Sequence, residues 1–205
     1  MSGSLAASRR AWHGVAELLL AGPQFRQSHE IRLQVTPGGF ATVKEPALRV
    51  EGTTLVIDGE RVAMPGHTCA ALSVLTGAPA GQPVDVYDNG SGVGPDEALQ
   101  LDDASIAVLA GAFERGDAAL RLFAPDATPV LWPEHFDVGI SVAEVNYGVS
   151  PGDGYLDEPY AYVGPWQPRE GAFWNAPFGA TRPMAELSDV DAVIAFLVEG
   201  RDRAG

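Results

Sequence analysis

The sequence predicts an α+β fold, antiparallel β meanders packed by about three to four helices. Three observations predict it. Short apolar runs with a period of two, separated by Gly- and Pro-based turns, recur between residues 29 and 64. Residues 103–123 carry apolar side chains on one helical face. Strands and helices come in blocks, without the βαβ alternation of a doubly wound sheet.

The first element is a helix over residues 5–20. Ala6, Trp12, Val15, Leu18 and Leu19 fit helical spacing, and Gly22-Pro23 is expected to end it. In the segment that follows, Ile31, Leu33 and Val35 alternate with polar residues before the turn at Pro37-Gly38-Gly39, and Phe40 to Val43 returns. Leu48-Arg49-Val50 and Thr54 to Ile57 flank Glu51-Gly52, and Asp58-Gly59 leads into Arg61 to Met64, which completes a meander. A short helix is expected from Thr68 to Leu75 with Gly77 as its stop, then a strand at Val84 to Tyr87. The Gly-rich loop Asp88 to Pro95 reads as a mobile surface turn.

The long helix over about 103–123 follows, with Gly116 as a weak point where it could divide. Val138 to Val142, Glu144 to Val149 and Tyr160 to Val163 read as strands, and 164–186 as an irregular packed segment. Ser188 is the expected cap of a closing helix from Val190 to Glu199, with Gly200 behind it. The 205 residues suit one domain, with a helix plus β meander over 1–80 and a helix plus aromatic-rich β region over 81–205 as its substructure.

A net charge of −14 argues against nucleic acid and anionic membranes as partners. No apolar stretch approaches the roughly 20 residues of a membrane span. A secretory leader is not expected, because His13, Gly14 and Glu17 interrupt the apolar N-terminal stretch. The one cysteine, Cys69, excludes an internal disulfide and suits a reducing compartment, so a cytoplasmic location is expected.

Residues 132–178 hold ten of the seventeen aromatic residues. This is where a site is expected. If 134–138 is extended, His135 and Asp137 share a side, and a carboxylate neighbour orients an imidazole and raises its basicity. His135 as general base with Asp137 or Glu134 is one reading, that of a hydrolase- or isomerase-like enzyme. The preferred reading is a pocket for a small, partly apolar ligand, with Trp132, Tyr160, Tyr162, Trp166 and Trp174 as walls and Asn146 and Asp153 as polar contacts. A structural or protein-interaction role is the third.

Weaker patterns carry less. His67 and Cys69 with His135 and Asp137 offer zinc-type ligands at no recurring zinc spacing, so no metal and no cofactor are expected. Gly90-Ser91-Gly92-Val93-Gly94 lacks the βαβ setting of a dinucleotide turn. Gly148-Val149-Ser150-Pro151-Gly152 fits the nucleophile-elbow string, but the Pro and Gly that follow oppose the required helix.

Three segments stand in order: Trp-Pro-Glu-His-Phe-Asp at 132–137, Tyr-Gly-Val-Ser-Pro-Gly-Asp at 147–153 and Glu-Pro-Tyr-Ala-Tyr-Val at 158–163. Together they resemble an uncharacterised, largely actinobacterial protein family of unknown function. A wider domain family, similar to it, carries a related Trp-Pro-His-His-Phe-Asp motif. The resemblance covers roughly the last half of the chain. It implies a shared fold and brings no activity. Where the wider family has two histidines this chain has Glu134-His135, so a role that needs both imidazoles is not expected here.

Overall fold

The computed structural model describes residues 2–205, with side chains from Ser4 onward. The chain is α+β, and the strand pairings described are antiparallel. It forms two compact units: Met1–Gly111 with Leu131–Phe136, and Ala112–Val130 with Asp137–Gly205.

In the first unit, α1 (Ser2–Val15) continues through a π-helical stretch, Ala16–Ala21, into α2 (Gly22–Ser28). The Gly22 N–H reaches back five residues to the Glu17 carbonyl. Gly22-Pro23 therefore does not stop the helix as expected. Pro23 falls in the first turn of α2, where a missing N–H and a fixed φ are tolerated. Gly22 is needed for contact, since a Cβ there would lie 1.6 Å from the Gly81 carbonyl oxygen. The helix stops at His29, which is left-handed at φ 55° and donates its N–H to the Phe25 carbonyl.

The meander follows as read, within a residue or two: β1 (Leu33–Thr36), β2 (Gly39–Thr42), β3 (Leu48–Glu51), β4 (Thr54–Ile57) and β5 (Glu60–Ala63). Strand β6 (Val130–Trp132) joins through the Leu33↔Leu131 pair, which gives the order β6-β1-β2-β3-β4-β5. Three buried rings meet in the core: Trp12 lies 4.9 Å from Phe40 and 5.9 Å from Phe136, all edge-on. Such pairs add about 0.5–1.5 kcal/mol each beyond their burial. Gln24 is fully buried and fully bonded. Its amide donates to the Glu30 and Arg32 carbonyls and accepts from the Val43 and Lys44 N–H groups.

Helix α3 (Cys69–Thr76) has Thr68 as its N-cap and left-handed Gly77 at its end, both as the sequence indicates. Val84 to Tyr87 is not a strand. Asp85 at φ 60° turns the chain, and Val84 is left exposed.

Helix α4 (Asp103–Phe123) begins in the first unit and ends in the second. Gly116 does not divide it. A Cβ at Gly116 would sit 2.6 Å from Val149 Cγ2, so this residue lets the helix approach β8 (Val145–Ser150). With β7 (Asp137–Val142), β9 (Tyr160–Pro165) and β10 (Ala180–Pro183), β8 forms the second unit's meander in the order β10-β9-β8-β7. Strand β10 falls in the stretch read as irregular. Its sequence, Ala-Thr-Arg-Pro, carries no apolar alternation, and its pairing with β9 supplies the structure.

Helix α5 (Val190–Ala204) is capped by Asp189, whose Oδ1 accepts the Ala192 N–H at 2.9 Å, rather than by Ser188. It runs past Gly200 because that residue faces Val163, with a Cβ position 2.6 Å from Val163 Cγ2. No helix among the described residues is long and apolar enough to cross a membrane.

Candidate functional site

The turn that carries the first motif is not extended. Residues 133–136 form a turn closed by the Phe136 N–H on the Trp132 carbonyl at 2.7 Å, with Phe136 at φ 54°. The reversal pushes Phe136 into the core and His135 outward. The His135 side chain is 67% exposed, and its Nε2 lies 3.2 Å from Glu134 Oε1. His135 and Asp137 do not act as the facing pair that extended backbone would give. Asp137 begins β7 in the second unit, where its carboxylate accepts the Tyr162 hydroxyl.

Tyr162 lies over a bare patch of its own sheet. Gly139 and Gly148 pair across β7 and β8, and Gly148 pairs with Tyr162 across β8 and β9. A Cβ at Gly148 would lie 2.4 Å from the Tyr162 hydroxyl, and one at Gly139 2.8 Å from it. The two missing side chains therefore make the bed for the ring. Burial, and then the Asp137 carboxylate, hold the hydroxyl well above its ordinary pKa.

The same face of the sheet opens into a cleft of about 400 Å³ within the second unit. Asn146 and Tyr162 lie at its base, with Trp166, Pro177 and Phe178 around it. Trp166 is held at two points. Its backbone N–H donates to the Glu144 carbonyl at 2.9 Å, and its Nε1–H to Asn146 Oδ1 at 3.2 Å. Its side chain still stands 60% exposed.

Phe178 sits on a tight turn closed by paired Ala176 and Gly179 backbone bonds. That turn is tied down by Asn175, which brackets the Thr181 peptide at 2.8 and 3.1 Å. Tyr155 supports Phe178 edge-on at 5.3 Å and bonds the Asn175 carbonyl. The region read as irregular is thus a fixed scaffold for two solvent-facing rings.

Of the residues named from sequence, Asn146, Tyr162 and Trp166 line this cleft together. Tyr160 is buried and donates to Asp153 Oδ2 at 2.5 Å, while Asp153 Oδ1 accepts from the Tyr155 and Leu156 N–H groups. Those two residues close the 153–160 loop. Trp174 packs on Phe173 at 4.9 Å, and Trp132 belongs to the first unit. Phe178 and Arg169 line the cleft and were not singled out. The only signal for them is their membership of the Pro- and aromatic-rich stretch.

A second polar cluster lies in the first unit, at the π-helical stretch. Glu17 is 1% exposed. Its Oε2 accepts the Ser91 N–H at 3.0 Å and the Ser91 hydroxyl at 2.6 Å. Gly90 lies directly over it, where a Cβ would come 1.9 Å from Oε1. The Gly-rich loop is therefore anchored by a buried carboxylate, not a free surface turn. Glu17 Oε1 and the Tyr87 hydroxyl are both buried, and burial, then the Glu17 charge, push the Tyr87 pKa up. Nearby, His13 Nε2 meets the Pro133 carbonyl at 2.6 Å and its ring stacks on Phe136 at 5.0 Å. The sequence signal for this cluster was a lone acid in a long apolar stretch.

Cys69 is buried against the Gly14 carbonyl, and burial pushes its thiol up to about 12. Among the described residues no group of three or more His, Cys, Asp or Glu side chains converges as a metal site would need. Ser150 is buried at the end of β8 and its Oγ accepts the Gly152 N–H at 3.1 Å, an arrangement of a turn and not of a nucleophile elbow. Comparison with protein families, with curated proteins and with solved structures finds no match for this chain.

Proposed function

We propose that this protein is a small-molecule-binding module whose ligand occupies the cleft at Tyr162, Trp166 and Phe178. One observation carries the reading: a tryptophan fixed by two hydrogen bonds, yet 60% exposed, at the edge of a cleft of about 400 Å³. Exposing an indole to water is unfavourable, and holding it in one orientation adds an entropic cost. Ligand pockets of about 300–1,000 Å³ repay that arrangement by stacking a partner on the ring. The scaffold beneath is rigid, which keeps the ordering cost of binding low.

The reading is preferred over acid–base catalysis at His135. That imidazole is exposed, its neighbour Glu134 is half-buried and adjacent in sequence, and Asp137 is engaged by Tyr162. The motif resemblance to the actinobacterial family fits a binding module without adding an activity to it. A cytoplasmic location rests on the single cysteine and stays part of the proposal.

The test is a thermal-shift screen of planar compounds on the full chain, alongside Trp166→Ala and His135→Ala. A ligand raises the melting temperature by mass action, about 2.7 kcal/mol of stabilisation at a hundredfold excess over Kd. The expected result is a shift lost in Trp166→Ala and kept in His135→Ala. A shift lost in His135→Ala and kept in Trp166→Ala would move the site to the 133–136 turn and sink this reading.

A further inference from the structure

We infer that the ligand of this cleft is a planar aromatic anion, a carboxylate on a flat ring system. The inference rests on the binding-module reading above and adds the chemical class. Two sets of groups carry it, the rings and the polar atoms that line the cleft.

The rings fix the shape. Trp166 and Phe178 are 60% and 41% exposed and line the same cleft as Tyr162. Aromatic faces prefer offset stacking or edge contact with another flat π-system. Pro165, Pro168 and Pro177 add stiff apolar walls with no polar atoms on their side chains.

The polar side chains bear on the charge, because the groups they leave to a ligand are chiefly donors. Indole Nε1–H can only donate, so its bond at 3.2 Å identifies the Asn146 atom that receives it as the oxygen. That oxygen also accepts the Ser141 hydroxyl at 2.7 Å. What Asn146 has left is its NH₂ group, a donor. The Tyr162 hydroxyl is already given to Asp137. The indole N–H is already given to Asn146.

Arg169 is the one charged residue lining the cleft among the described residues. Its Nη2 donates to the Ala204 carbonyl in the last turn of α5, which steadies the guanidinium. One bond uses one of the five N–H donors that arginine carries, and the rest of the fork matches a carboxylate. A cationic ligand would meet Arg169 as a like charge, and a neutral acceptor would make only the weaker, uncharged form of the contact.

The chain's net charge of −14 opposes any anion at long range. Solvent-exposed charges beyond about 8 Å are largely screened at physiological ionic strength, so the group that lines the cleft decides.

The experiment is calorimetric titration of the full chain with 2-naphthoate and with its neutral isostere 2-naphthamide. It is repeated on Arg169→Gln, Arg169→Lys and Trp166→Ala, with melting temperatures recorded for each variant. The expected result is naphthoate bound about tenfold more tightly than naphthamide, the scale of one charge-assisted contact. Arg169→Gln should erase that preference with naphthamide binding still measurable, and Arg169→Lys should keep part of it. Equal binding of the two probes, or a preference that survives Arg169→Gln, overturns the anion while the cleft reading stands. If neither probe binds, or Trp166→Ala binds both like the parent, this inference fails together with the cleft as the site.

Discussion

At the scale of single residues, a buried histidine of the first unit contributes to the chain's response to acid. Burial, the largest cause, holds His13 below its ordinary pKa, against the opposing effects of the Pro133 carbonyl and the Glu17 charge, with His135 adding to the depression. The unfolded chain then binds a proton that the folded chain refuses, in the window between the depressed folded value and about 6.5. Stability from this residue is fully present above about pH 6.5 and is lost as pH falls through the folded value. Urea unfolding of the parent between pH 7.5 and pH 5 should show that fall, and His13→Gln should flatten it over this window. A parent whose stability does not change across the window would contradict the assignment. Neither His13 nor Glu17 could be recognised in the sequence as part of a polar cluster. The partners that define them, Pro133 and Ser91, lie 120 and 74 residues away. Periodicity sees only neighbours a few positions apart.

At the scale of elements, glycine acts in opposite senses at two places, and the same substitution separates them. Gly148 in β8 is covered by the Tyr162 ring, with a Cβ position 2.5 Å from Cζ, whereas Gly111 in α4 has nothing within 4 Å of its Cβ position. Gly148→Ala should destabilise by about 1–3 kcal/mol, because the ring and its Asp137 bond must shift. Gly111→Ala should stabilise by about 0.5–1 kcal/mol through helix propensity alone. Chemical denaturation of the two variants checks both, and a stabilising Gly148→Ala would refute the packing described. The first meander was legible because its turns carry Gly at the needed positions, such as Gly52 at φ 58°. Helix interruptions were over-read. Gly22-Pro23, Gly116 and Gly200 look like breaks in sequence, yet each glycine marks where a helix comes close to a neighbouring segment. Only the neighbour, which sequence does not show, distinguishes a break from a contact.

For the whole molecule, charge is the dominant long-range quantity. With 27 acidic and 13 basic residues, the folded chain repels itself at neutral pH. Its ion pairs, such as Arg10–Glu97 and Arg203–Glu199, are largely exposed and offset little of this. Raising sodium chloride from about 10 mM to about 150 mM shortens the Debye length from about 30 Å to about 8 Å. The melting temperature should therefore rise, by a degree or a few. A fall on adding salt would mean that the local ion pairs outweigh the net charge. The sequence suggests substructure over 1–80 and 81–205, and the compact units are Met1–Gly111 with Leu131–Phe136 and Ala112–Val130 with Asp137–Gly205. Helix α4 is continuous although its residues belong to both. The Trp132–Asp137 motif is likewise shared between them. His135 and Asp137, two positions apart, consequently have different structural surroundings. Within the second unit, Asn146, Tyr162 and Trp166 were legible as cleft residues because the meander that brings them together comes from adjacent strands.

The tie between Glu17 and Ser91 also bears on birth order. A ribosome releases the first helix well before it makes the loop that covers it, and His13 waits longer still, for residue 133. At about 5–20 residues per second, the Glu17 carboxylate remains in water for several seconds before its serine emerges. This helix is thus finished long after it is made.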